Sequence, residues 1–258
     1  MKSILAIFLA LTFIIVFGGC NVQEEPVLSE PEVSEEPASS ETEVLEEISE
    51  EPQEEELKTL PEIDGEPLSE EEIEFFNDMF YPLLNDITED FETNPWSHFF
   101  MSYYDEVWEI NFPMFIYYFP SEDRKVDEEE FQKLRKVEAW RFDNCKTLED
   151  MPVPVHPISK KEVDAVLKEY TGIITSDDLD TSEIAYLEEY DCYYNSTSDW
   201  GPGMFICSGG ERIGNTIYLY GESGLSFYKE SEETTDMLVL VEEEGEYKIV
   251  SHQHFKNP

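Results

Sequence analysis

Apolar residues fall into four regimes along the chain. Ile4 to Phe17 is an apolar run, interrupted only by Thr12, behind a single lysine, and Asn21 to about Glu66 shows no periodicity at all. From Leu68 the spacing turns helical. Ile73, Phe76, Phe80 and Leu83 share one helix face, and Ser69 with Glu72 has the spacing of a reciprocal N-terminal cap. Asp127–Trp140 predicts a second helix, with Asp127 as cap and Phe131, Leu134 and Val137 inward. Ser159 and Glu162 repeat the capping spacing before a third, whose inward face is Val163, Val166, Leu167 and Tyr170 and whose stop is Gly172. Between them, Met151–Pro157 holds three prolines and must be extended.

From Ile184 the period shortens towards that of strands. Expected strands are Ile184–Tyr190, Met204–Cys207, Thr216–Tyr220, Leu225–Tyr228, Met237–Val241 and Tyr247–Ser251. Turns are expected at Gly209-Gly210, Gly221–Gly224 and Glu244-Gly245, short enough for an antiparallel meander. The aromatic stretch Phe91–Phe119 reads as core, in one or two strands with their loops, with a carbohydrate-stacking platform as the alternative. Helices first and strands afterwards give an α+β class: N-terminal helices packed on a C-terminal β-meander, preceded by a disordered acidic linker. The boundaries follow: 1–19 a signal segment, 20–67 the linker, 68–258 a single domain.

Charge narrows the function classes. The formal net charge is -45. Residues 21–70 hold 19 acidic residues against one lysine, and residues 71–258 still carry -28. Such a field repels phosphate backbones and anionic headgroups, which argues against nucleic acid as a partner and favours cations or basic peptides. The Glu/Pro/Ser composition of the linker cannot repay the entropy of ordering, and self-repulsion extends it.

Met1–Cys20 has the charged start, apolar middle and small residues of an export signal. Gly18-Gly19-Cys20 resembles the lipobox of bacterial lipoproteins, with Phe17 where a small residue is usual. That resemblance implies cleavage before Cys20, diacylglycerol on its thiol and an acyl chain (palmitate is typical) on its amine. The protein is then anchored in the cell membrane on its extracytoplasmic face, with Cys20 an anchor and not a nucleophile.

Candidate chemistry concentrates between Tyr186 and Glu222. Gly201-Pro202-Gly203 sets a turn that presents Asp199 and Trp200 near Tyr193 and Tyr194. A carboxylate, an indole and phenols suit a sugar, an amine or a peptide, so these four residues are the candidate ligand site. Cys192 and Cys207 flank the loop; they either bridge neighbouring strands or stay as buried thiols, leaving Cys145 over. Asp178-Leu179-Asp180 opens like a calcium loop, but Glu183 stands where an EF-hand needs glycine, leaving only a looser site with Asp177. His252 and His254 have the i, i+2 spacing of two ligands on one strand face, without a third to complete a metal site. No cofactor, metal or catalytic residue is assigned, and no hydrolase or nucleotide-binding signature is present.

The segments LSEEEIEFFNDMF, VPVHPISKKEVDAVLKEYTGI, YDCYY with SDWGPG, and GEYKIVSHQ resemble a group of uncharacterised lipoproteins of gut Firmicutes over most of residues 68–258. The resemblance implies lipid tethering and one α+β extracytoplasmic domain. It carries no activity and no catalytic residue. The expected function is a non-enzymatic module binding a glycan, a peptide or an envelope protein. The alternatives are an extracytoplasmic hydrolase working through acidic residues and a structural factor of envelope assembly.

Overall fold

Ser69 starts the first helix as its spacing predicts. Its hydroxyl accepts from the Glu72 amide at 3.3 Å while Glu72 reaches back to the Ser69 amide at 2.9 Å. The helix, α1 (Glu70–Met79), buries Phe76 and delivers Phe80 at its C-terminal end to the same core. The computed structural model describes residues 57–84, 92–199, 201–225 and 234–257, all within one compact unit, Glu54–Pro258. Cys20, the acidic linker up to residue 56, Trp200 and most of the expected Leu225–Tyr228 strand lie outside the described residues.

The α+β class holds: helices combine with two antiparallel sheets. The larger sheet has the order β1-β5-β6-β7-β8, where β1 is Glu66–Pro67, β5 Phe205–Ile213, β6 Thr216–Ser223, β7 Thr234–Glu243 and β8 Glu246–Lys256. Its last four strands are a meander. The turn between β7 and β8 is the two-residue Glu244-Gly245, both at positive φ (55° and 89°), the pair a twisted hairpin requires.

The Gly209-Gly210 turn is corrected: both residues lie inside β5, and the chain reverses instead at Gly214-Asn215. The Gly221–Gly224 turn holds only at its end, because Gly221 lies inside β6, which runs to Ser223, and the chain turns at Gly224-Leu225. The glycines within the strands answer a different need. A Cβ on Gly221 would collide with the Ile206 carbonyl, and one on Gly210 would meet Tyr218 O at 2.6 Å. The register also shifts between Cys207 and Gly209, so the glycines mark a bulge and close strand approach rather than a reversal.

The aromatic stretch is corrected as well. Its described residues, from Glu92 on, form no named strand, only isolated bridges at Thr93 and Tyr104, and instead a 3-10 helix (Pro95–Phe100), a second 3-10 turn (Val107–Glu109) and the short α2 (Phe112–Phe115). Asn94 caps the first, accepting from the Trp96 amide with Pro95 next in line, and Asn111 caps the last, accepting from the Met114 amide with Pro113 following. Asparagine followed closely by proline is a helix start, and it overrode the aromatic β-propensity.

Asp127 caps α3 as expected, but α3 (Glu128–Leu134) ends six residues before Trp140. The bonds of Lys136, Val137 and Trp140 run to the third residue back, so the chain tightens into turns. In α4 (Lys160–Thr171), Gly172 closes the helix at φ 83°, while Ser159 makes no side-chain cap, contrary to its spacing.

The proline-rich connector enters β2 (Val155–Ser159), an edge strand of a second sheet with the order β2-β4-β3, where β3 is Ala185–Leu187 and β4 is Cys192–Ser196. An edge strand tolerates Pro157 because it need not donate on both sides. The main core joins α1, the 3-10 helix and α2 to one face of the large sheet: Phe76, Phe80, Phe99, Phe100, Phe112 and Phe115 against Ile217, Leu219, Leu238, Leu240 and Ile249. A second core lies under α3, with Phe131, Leu134 and Trp140 against Ala185, Cys192 and Tyr194.

Candidate functional site

Strand β4 decides what the tyrosine pair does. Its side chains alternate, so Tyr193 enters the main core while Cys192 and Tyr194 enter the second one. Tyr193 is 2 % exposed; its hydroxyl bonds Ser176 Oγ at 2.9 Å and its ring meets Phe112 edge-on at 4.9 Å. Burial pushes its phenol up. Packed among core rings, Tyr193 is a structural residue, which corrects its place in the expected ligand site.

Tyr194 sits in a buried polar network. Its hydroxyl donates to Glu130, which Arg124 clamps with one nitrogen at 2.9 and 2.7 Å. Arg124 also reaches Glu122 at 2.5 Å and Cys192 Sγ at 3.4 Å. Burial, and then the Glu130 carboxylate, hold the Tyr194 phenol far above its ordinary range. The bond to Glu130 likewise raises the Arg124 guanidinium.

The cysteines are free thiols here. Cys192 belongs to the second core and Cys207 to the first, and burial lifts both to about 11. They sit in different sheets, each a buried thiol that donates to a backbone carbonyl, Cys192 to Tyr190 and Cys207 to Gly209, at 3.2 Å.

Asp199 has a different setting. The Thr197 hydroxyl accepts from the Asp199 amide at 3.1 Å, and His156 Nε2 bonds the Thr197 carbonyl at 2.9 Å, tying the loop to β2. Asp199 thereby reaches the rim of a cleft of about 220 Å³ that it shares with Tyr117, Tyr118, His156 and Asn195. Tyr117 and Tyr118 stand edge-to-face at 4.7 Å and 88°, and Asn195 Nδ2 holds the backbone by donating to the Tyr117 carbonyl. The Tyr118 phenol is raised, first by burial, then by Tyr117 and by the Asp199 carboxylate. A second cleft of about 270 Å³ adjoins it, lined by Tyr194, Trp140, Met114 and the Arg141–Glu183 pair. Tyr117 and Asn195 line both.

The structure therefore leaves Asp199 on a cleft rim and both tyrosines inside: Tyr193 in the main core, and Tyr194, equally buried and bonded to Glu130, only at the inner wall of the neighbouring cleft, which corrects its place in the expected ligand site as well. Tyr117 and Tyr118 belong to the aromatic stretch that reads first as core and alternatively as a carbohydrate-stacking platform; they close a run that otherwise fills the core, and these two line the cleft. Asn195, whose amide side chain bonds the Tyr117 carbonyl and the Ser196 amide, had no signal in the sequence spacing.

The remaining clusters take local partners. Asp177 pairs with Lys160 at 3.2 Å, and Asp180 accepts from the Ser182 amide and hydroxyl. His252 Nδ1 donates to the Ser102 carbonyl at 2.8 Å and His254 Nδ1 meets Asp236 at 2.5 Å. Tyr103 lies 5.0 Å from each imidazole. Among the described residues, no group of three His, Cys, Asp or Glu side chains is arranged to hold a metal.

No family model matches the chain, and no curated protein or solved structure is significantly similar to it.

Proposed function

We propose that this chain is a lipid-anchored extracytoplasmic protein whose double cleft binds an envelope or environmental glycan. One observation carries the ligand site: the Asp199 carboxylate and the Tyr117–Tyr118 pair line a single cleft. Ring faces cover the C–H surfaces of a sugar, while a carboxylate and an amide accept and donate to its hydroxyls. The adjoining Tyr194 cleft extends the same wall, giving room for more than one sugar unit. The anchor rests on the lipobox-like Gly18-Gly19-Cys20 and on the resemblance to Firmicutes lipoproteins. The acidic linker supplies reach through self-repulsion.

Two experiments test the two halves separately. A Tyr118→Ala/Asp199→Ala variant is expected to bind a bacterial-glycan array at least tenfold more weakly than wild type. Equal retention by both proteins removes this cleft from consideration. For the anchor, a Cys20→Ala variant is expected to lose palmitate labelling and to leave the membrane fraction, since lipid chains contribute about 0.8 kcal/mol per buried methylene. Continued labelling would show that Cys20 is not the acylated residue.

A further inference from the structure

A second groove, remote in composition from the first, opens beside Trp108. This indole stands 60 % exposed on the 3-10 turn Val107–Glu109, although its neighbour Ile110 and most of the aromatic stretch are buried. The groove has a volume of about 360 Å³ and a half-open shape. Val107 and Ile249 lie at its base, Val250 adds an apolar side 39 % exposed, and the carboxylates of Glu106 and Glu243 complete the lining. One lysine, Lys248, also lines the groove and keeps its charge; its ammonium donates to the Glu169 carbonyl in α4, and the ion pairs among the described residues include none between it and Glu106 or Glu243, so the lining holds two carboxylates against one cation.

An exposed indole between carboxylates, on a domain whose residues 71–258 carry -28, is complementary to one chemistry. That chemistry is a cation on an aliphatic stem, with the stem along Val250 and the head over the ring and towards Glu106 and Glu243. Magnitudes choose between a free amine and a polypeptide. One exposed cation–π contact strengthens binding only about two- to fivefold, and one exposed ion pair about as much. Three such contacts multiply to about a hundredfold, short of the roughly thousandfold a millimolar ligand needs. Several cations engaged together, drawn in by the field of the whole domain, pass that threshold. We propose that the Trp108 groove is the docking point for a lysine- or arginine-rich polypeptide segment, seating one of its side chains between Glu106 and Glu243.

The test uses the full-length protein in detergent micelles and a fluorescein-labelled oligolysine peptide, followed by anisotropy. Trp108→Ala and the Glu106→Gln/Glu243→Gln pair are each expected to weaken binding about three- to tenfold. Trp108→Phe, which keeps a ring, should lie between wild type and Trp108→Ala. Two other exposed carboxylates, changed as Glu188→Gln/Glu222→Gln, should leave affinity within twofold. If that distant pair costs as much as the groove pair, the attraction is a property of net charge and the proposal falls. It falls equally if Trp108→Ala changes nothing, or if free lysine at the same amine concentration competes as well as the peptide.

Discussion

Lowering the pH from 7 to 5 is expected to cost this domain about 4 kcal/mol through two histidines that have no room for a charge. His98 is buried against the rings of Phe115 and Phe119, and burial holds its imidazole down to about 3. His252 is fully buried, faced by Tyr103, Asp236, His254 and the Ser102 carbonyl; burial, outweighing the raising effect of Ser102 and Asp236, lowers it to about 4. Its Nε2 has no hydrogen-bond partner among the described residues, so a proton added there would have nothing to bond. The sign follows from proton counting. Below about 6.5 the unfolded chain protonates both rings while the folded chain does not, so stability falls as pH falls. The loss is about 2 kcal/mol per histidine by pH 5, and it continues until each folded value is reached. Asp236 adds a loss of the same sign only at lower pH: burial alone would raise it, but bonds from Ser223 and His254 bring it below its ordinary value, so its contribution is intact at pH 5 and is lost as pH falls below about 4. Urea midpoints at pH 7 and 5 measure the effect, and a His98→Leu/His252→Asn variant should lose most of the pH dependence. An unchanged dependence in that variant would assign the acid response to other groups.

Glu130→Ala should be among the most destabilising changes in the second core, at about 3 kcal/mol. Removing the carboxylate strips Arg124 of its two-pronged partner and Tyr194 of its acceptor at once, in a region where Glu130 is only 2 % exposed. Breaking a buried pair from one side costs about 3–5 kcal/mol, and the partial exposure of Arg124, 35 % of its side chain, puts this case at the lower end. Replacing both charges, as Arg124→Met/Glu130→Leu, should recover much of that stability because no charge is then stranded. Denaturant titration of the single and double variants measures it. A double variant less stable than Glu130→Ala would mean the network contributes more than charge compensation.

Parts of this fold were legible from spacing alone because the chemistry involved is local. Ser69 with Glu72, Asp127 with Glu130, and Gly172 act within one turn, and each does what its spacing predicts. Glu244-Gly245 is equally local. Gly210 and Gly221 were misread because their role is set by strands that come near them in space, and Gly209 because it stands at a register shift, neither of which neighbouring residues encode. Tyr193 and Tyr194 illustrate the same divide. Alternation along β4 foretells that they face opposite ways, but not that both faces are covered, one by α2 and one by α3. Asp199 is exposed at the cleft rim, on a loop that the Thr197 hydroxyl and His156 hold, while Gly201-Pro202-Gly203, expected as a turn, carries no assigned turn. Its companions Tyr117 and Tyr118 come from some 80 positions earlier in the chain, a juxtaposition only the folded chain creates.

The account turns on whether the cleft shared by Tyr117, Tyr118 and Asp199 is occupied in the living envelope. The most direct measurement places the photo-crosslinking residue p-benzoylphenylalanine at position 118 and, as control, at the exposed Tyr81, then irradiates intact cells. The account predicts a glycan-bearing adduct at position 118 that disappears when Asp199→Ala is added, with no such adduct at position 81. The same adduct at both positions, or none at 118 while the protein is folded and exported, would contradict it.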